Sequence, residues 1–173
     1  MIESSEKLNN QAIELAAKGE YKEAIACFIR ALSLENENSL LWYNLALTYR
    51  DSGDLDGAKA AMEKALDINP EDEEIIEAAA TLSFSLGNLD DAMKFALWGL
   101  DVNPFNSHFW NMVGVVYFNQ KDYGSASEAF EQALTINPYY YDAIYNLRDT
   151  YIELSNHLGA QECDMKLKQL SGR

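Results

Sequence analysis

The chain has 173 residues, 48% of them hydrophobic and 24% charged, which is a globular rather than a disordered composition. Thirteen Lys and Arg stand against 28 Asp and Glu, a formal charge of −15 that repels phosphate backbones and points away from nucleic acid, toward a cationic peptide or protein. No apolar run approaches the roughly 20 residues that span a bilayer, so no membrane partner is expected.

The N-terminal MIESSEKLNN lacks the basic-then-apolar layout of a secretory signal, and a reducing, cytoplasmic setting is the default expectation. Cys27 and Cys163 form neither a C-x-x-C pair nor part of a His-rich cluster, and are expected to be buried reduced thiols.

A period organises everything after residue 4. Pro70, Pro104 and Pro138 are spaced 34 residues apart and close the segments ALDINP, GLDVNP and ALTINP; ALSLEN (31–36) repeats the pattern without the proline. Gly19, Gly53 and Gly87 keep the same step, as do Ala24, Ala58, Ala92, Ala126 and Ala160. Behind a short extension (1–4), five units follow: 5–38, 39–72, 73–106, 107–140 and 141–173. A regular period of this length is the signature of stacked repeats forming a single domain over 5–173.

In chain order, the first unit departs from the pattern at Gln11 and Asn36. The second reads as two helices. Residues 40–52 carry Leu41, Trp42, Leu45, Ala46, Leu47 and Tyr49 at helical spacing, and Gly53 offers the left-handed residue that ends a helix. Residues 55–68 carry Leu55, Ala58, Ala61, Met62, Ala65, Leu66 and Ile68, and Asn69-Pro70 stops them. In the third unit, small Ala96 and Gly99 take inner positions where other units have Phe28 and Phe130. Large Phe95 and Trp98 lie beside them, either refilling that volume or facing a second chain. The fourth unit sets Lys121 at the glycine place, and the fifth sets Ser155 there and Asp164 at an aromatic place. The last helix, about 157–170, has a stripe of Leu158, Ala160, Cys163, Leu167 and Leu170 opposite a polar face, which reads as a solvating cap.

The chain resembles the tetratricopeptide repeat family. Trp42, Leu45, Ala46, Tyr49, Gly53, Ala58, Ala65 and Pro70 carry the match in one unit, and Trp110, Gly114, Tyr117, Ala126, Phe130, Ala133 and Pro138 in another. Trp42, Trp110, Tyr49, Tyr117 and Phe130 fall on packing positions. The resemblance implies an all-α, right-handed α-solenoid of antiparallel helix pairs, with a concave groove lined by the first helix of each unit.

Mapped onto this chain, that groove contains Asn9, Asn10, Tyr43, Asn44, Leu47, Glu74, Glu77, Phe84, His108, Asn111, Met112, Phe118, Asp142, Tyr145, Asn146 and Asp149. Asparagine donates and accepts at once, so Asn10, Asn44 and Asn146 could hold an extended backbone; Tyr43, Leu47, Phe84, Met112, Phe118 and Tyr145 offer apolar pockets. Glu74, Glu77, Asp142, Asp149 and Glu153 favour Lys or Arg in the partner. Family members that bind acidic chaperone tails use Lys, Asn, Asn, Lys and Arg where this chain has Asn9, Ile13, Asn44, Glu74 and Ala78, so such tails are disfavoured as partners.

Trp98, Phe105, Tyr139, Tyr140 and Tyr141 form a second group. The last four sit after Pro104 and Pro138, and either pack between neighbouring units or join copies of the chain into a homo-oligomer. Catalysis finds no footing. His108 and His157 lack metal-ligand spacing, and neither a phosphate loop nor a nucleophile elbow occurs. No cofactor is expected. The expected function is a noncatalytic adaptor or chaperone-like module holding a basic, apolar segment; the competing one is a self-assembling scaffold.

Overall fold

A computed structural model describes residues 4–172; residues 1–3 of the N-terminal extension, and Arg173 at the end of the fifth unit, lie outside the described residues. Among the described residues ten helices follow one another: α1 (Ser5–Ala17), α2 (Tyr21–Leu34), α3 (Ser39–Ser52), α4 (Leu55–Ile68), α5 (Glu73–Ser85), α6 (Leu89–Val102), α7 (Ser107–Asn119), α8 (Tyr123–Ile136), α9 (Tyr141–Glu153) and α10 (His157–Leu170). Among the described residues there is no strand. The chain is all-α, as expected, and its helices come in pairs joined by short turns, the connection that makes neighbours antiparallel. Two compact units divide it, residues 1–75 and 76–173, with the boundary inside α5. In the first, α1 packs on α2, α2 on α3 and α3 on α4; in the second, α6 to α10 pack each on the next. First helices also meet directly, α1 with α3 and α7 with α9.

Local chemistry explains the helix ends. Asn38 and Asn106 cap α3 and α7 by accepting from the amides of Leu41 (3.2 Å) and His108 (2.9 Å). The second helices repeat the device with Asp54, Asn88, Asp122 and Asn156, each accepting from a first-turn N–H. Gly53 ends α3 in the left-handed region at φ 86°. Lys121 and Ser155, at the same register, are forced into it too, at φ 63° and 58°.

Each core is built where the register brings small residues against large ones. In the first unit, the large Phe28, Leu45, Met62 and Leu66 and the small Ala24, Ala31, Ala58 and Ala65 are all buried. In the second, Phe130, Ile144, Leu147, Cys163 and Leu167 form one cluster, and Ala96, Val113 and Ala129 another. Phe130 is fully buried, whereas Trp42, Trp110, Tyr49 and Tyr117 are half-buried. The two indole N–H groups donate to backbone carbonyls six residues earlier, Trp42 to Asn36 and Trp110 to Pro104.

Three expectations need correction. The volume left by Gly99 is filled neither by Phe95 nor by Trp98, which stack on each other with centroids 6.1 Å apart. It is filled by Phe109 of α7, whose ring would lie 2.4 Å from a Cβ at Gly99. Phe109 stands where other units have Leu41 and Ile75, so a larger residue on α7 compensates a smaller one on α6. On α10, Ala160, Cys163 and Leu167 are buried, but Leu158 and Leu170 are exposed, because they lie at the edges of a stripe only three residues wide. Both thiols are free, and Cys163 is buried, while Cys27 is only half-buried.

Candidate functional site

Residues 9, 43, 77, 111 and 145 share one register position on the first helices. At every junction between neighbouring repeats, the side chain there bridges to the next repeat. Asn44 Nδ2 donates to Asn9 Oδ1 at 3.0 Å, and three repeats further on Asn146 Nδ2 donates to Asn111 Oδ1 at the same distance. Tyr43 Oη donates to Glu74 Oε1 at 3.1 Å, and Glu77 Oε1 pairs with His108 Nδ1 at 3.0 Å. The receiving positions are four residues apart (40/44, 74/78, 108/112, 142/146), so they share a helix face and either can be reached. Burial, reinforced by the Glu74 carboxylate, pushes the Tyr43 hydroxyl up to about 12.

In the second unit the bridges join into a network. Tyr140 stacks on His108 with centroids 4.8 Å apart, and its hydroxyl is hydrogen-bonded by Asn111. Burial, then the charges of Asp142 and Glu77, push that hydroxyl up to about 12, with the Asn111 bond acting the other way. Further along α9, the Arg148 guanidinium lies 4.1 Å from the Tyr145 ring centroid, bonds Asp149 at 2.7 Å and reaches Asp164 of α10 at 3.5 Å. Burial works against the Arg148 charge, yet the bonds to Asp149 and Tyr145 raise its pKa overall. Beside this lies a small pocket of about 110 Å³ lined by Val115, Phe118, Asn119, Phe130, Asn146 and Asp149. The surface so formed offers amide donors and acceptors beside an apolar hole, a chemistry suited to backbone and side-chain recognition. Among the described residues, no group of three or more His, Cys, Asp or Glu is placed to hold a metal ion. No helix there is long and apolar enough to cross a membrane.

The remaining expected residues separate. Asn10 is exposed, and its neighbour Asn9 makes the bridge instead. Leu47 and Phe84 are half-buried. Met112 packs against the Ala96–Val113–Ala129 cluster, and Phe118 against the Phe130 cluster and edge-on to Tyr123. Phe105 and Tyr139 are 78% and 75% exposed and Tyr141 is exposed, whereas Trp98 is half-buried against Phe95 and Tyr140 belongs to the network. Sequence reasoning missed the roles of Tyr140 and Arg148. The signal for Tyr140 was present: its register position holds Ser4, Asn38, Asp72 and Asn106, all helix-capping residues, and α9 has no side-chain cap.

Models of the tetratricopeptide repeat match residues 12–50, 40–72 and 109–140, together more than half of the chain. The chain belongs to the tetratricopeptide repeat family. Its α-solenoid fold of stacked helix pairs recurs in solved structures. One is MamA from Desulfovibrio magneticus RS-1, with a TM-score of 0.84 at 16% identity, covering 99% of this chain and 97% of that one. PilF of Pseudomonas aeruginosa gives 0.83 at 16% identity, covering 98% of this chain and 77% of that one. PilW, described as a type IV pilus biogenesis factor, gives 0.81 at 22% identity, covering 98% and 78%. At these identities the likeness is one of fold. No curated protein matches the sequence. Family and fold together support a role in protein–protein interaction or scaffolding for this tetratricopeptide repeat protein.

Proposed function

We propose that the chain is a noncatalytic adaptor holding an extended, basic and apolar segment of a partner protein on its first-helix faces, with α7 and α9 as the centre. The repeated asparagine bridge carries this reading. In the pair Asn111–Asn146, one N–H of Asn146 is used by Asn111, which leaves its carbonyl oxygen and second N–H for a peptide unit. A peptide offers one donor and one acceptor per residue, the complement of that pair. The pocket at Phe118 takes a small apolar anchor. Attraction for Lys or Arg comes from Asp142 and Glu153 more than from Asp149, whose charge Arg148 already balances. A second reading, a self-assembling scaffold, draws on the exposure of Phe105 and Tyr139.

Selection from a random peptide display library tests the adaptor reading. Enriched peptides should carry Lys or Arg next to an apolar residue, lack acidic C-termini, and shift backbone amide resonances of α7 and α9. Asn146→Ala should weaken their binding about tenfold, and Tyr145→Ala to a similar degree. A library that yields no binder, or peptides unaffected by both substitutions, would overturn it.

A further inference from the structure

A cleft of about 430 Å³ opens in the first unit on the side of the second helices. It is lined by Ile29 of α2, by Trp42, Leu45 and Tyr49 of α3, and by Ala60 and Ala61 of α4. The second unit has the same cleft two repeats on, at Leu97, Trp110, Val113, Tyr117 and Ala129, with a volume of about 570 Å³. The cleft is therefore a product of the repeat geometry, and the linings tell the two apart. Where the first has Gly57, Ala60 and Lys64, the second has Ser125, Glu128 and Gln132, with Glu131 added. One cleft is walled by small apolar residues and a lysine, the other by carboxylates. Only the first suits an apolar side chain presented by an acidic surface.

This chain presents such a side chain. Among the described residues, Phe105, in the turn between α6 and α7, has the greatest exposure of the large hydrophobic side chains, at 78%. Its repeat, 73–106, holds six carboxylates against one cation, Lys94. The helices that flank the first cleft, α2 and α4, carry Lys22, Arg30, Lys59 and Lys64 against Glu23, Asp56, Glu63 and Asp67. In a chain of charge −15, that balance lowers the repulsion an acidic copy meets there. Tyr139 is almost as exposed, but it would bury a hydroxyl in a lining whose only side-chain polar groups are the Tyr49 hydroxyl, the Trp42 N–H (already donated to Asn36) and the Lys64 ammonium at the rim.

We infer that the Trp42 cleft is a self-association site that receives Phe105 from a second copy of this chain. The contact joins two different patches, so it is head-to-tail, and each added copy leaves one cleft and one ring unoccupied. One aromatic ring in one cleft is a small contact, and the association is correspondingly weak. The lining shares no residue with the row proposed to hold a partner segment, so the two readings succeed or fail separately.

Sedimentation velocity over about 10 µM to about 1 mM should show the mean mass rising with concentration, as expected for a weak interface. Phe105→Ala and Ala60→Glu, both at exposed positions, should each remain monomeric with an unchanged helical circular dichroism spectrum. The decisive arm mixes the two variants. Phe105→Ala keeps a working cleft and Ala60→Glu keeps a working ring, so together they should form a dimer that grows no further. Tyr139→Ala should associate like the natural chain. A monomeric natural chain at every concentration, oligomers insensitive to both substitutions, a mixture that stays monomeric, or loss of association in Tyr139→Ala would each overturn the inference.

Discussion

The ring of Tyr140 lies 4.8 Å from that of His108, at an interplanar angle of 28°, although Tyr140 occupies the position that caps the equivalent helices. At that position, Ser4, Asn38 and Asn106 each accept a first-turn N–H of their own helix. Tyr140 instead turns its side chain away from α9 and onto α7, where it meets His108 and Asn111. The start of α9 has given up a local hydrogen bond, and the first-helix face has gained an aromatic wall.

That exchange can be measured by comparing two replacements. Tyr140→Ala loses the stacking and supplies no cap, whereas Tyr140→Asn loses the stacking but restores the cap. Unfolding in urea should place the Asn variant above the Ala variant by about 1 kcal/mol, the worth of an N-cap. Equal midpoints would mean that the α9 amides are satisfied in another way.

Lys121 and Ser155 provide a test of the turns. Both sit at positive φ, where other repeats place Gly19, Gly53 and Gly87, and an L-residue there costs about 1–2 kcal/mol. Glycine relieves that cost but makes the unfolded chain freer, which returns about 0.5–1 kcal/mol. Lys121→Gly and Ser155→Gly should therefore each stabilise by about 0.5–1 kcal/mol in chemical denaturation. No gain in either would show the turn to be unstrained.

The period, the helix pairs and their ends were legible in the sequence because each depends on local chemistry repeated five times: a cap, a left-handed residue, a proline after the second helix. What escaped depends on which side chain is longest across a junction. Asn9 rather than Asn10 bridges to Asn44, a matter of about 100° around the helix. Arg148 was legible only as a charge next to Asp149; its seat on the Tyr145 ring and its reach to Asp164 require α9 and α10 together. Yet departures from the repeat register do mark these places. Tyr140 at a capping position and Phe109 opposite Gly99 are both residues that break the pattern of their column.

The pair Gly99–Phe109 makes that last point quantitative. A Cβ at residue 99 would meet the Phe109 ring at 2.4 Å, and the fully buried ring has little room to yield. Gly99→Ala alone should cost about 1–3 kcal/mol through overpacking. Phe109→Leu alone should also destabilise, by leaving a void beside Gly99. The double variant places at 99 and 109 the residues that Ala31 and Leu41 supply in register, and should be more stable than the sum of the single losses by at least about 1 kcal/mol. Simple additivity in the double-mutant cycle would show that the two positions do not compensate each other.

Alkaline pH tests the polar rows. Burial raises the hydroxyls of Tyr43 and Tyr140 to about 12 from an ordinary value of 10.0, with carboxylates adding to the shift. The folded state thus holds both protons more tightly than the unfolded state does. Their contribution to stability is fully present below pH 10, and is lost progressively as the unfolded tyrosines ionise and pH rises through about 12. Urea stability measured at steps across that window should fall more steeply in the natural chain than in Tyr43→Phe combined with Tyr140→Phe, which has nothing to ionise at either site. Near neutral pH the natural chain is the more stable of the two, because Tyr43→Phe leaves Glu74 without its hydroxyl donor and Tyr140→Phe leaves Asn111 without an acceptor. The two stability curves should accordingly converge above pH 10. Parallel curves would mean that neither hydroxyl is held as the rows require, and that the bridges from Tyr43 to Glu74 and from Asn111 to Tyr140 do not persist in solution.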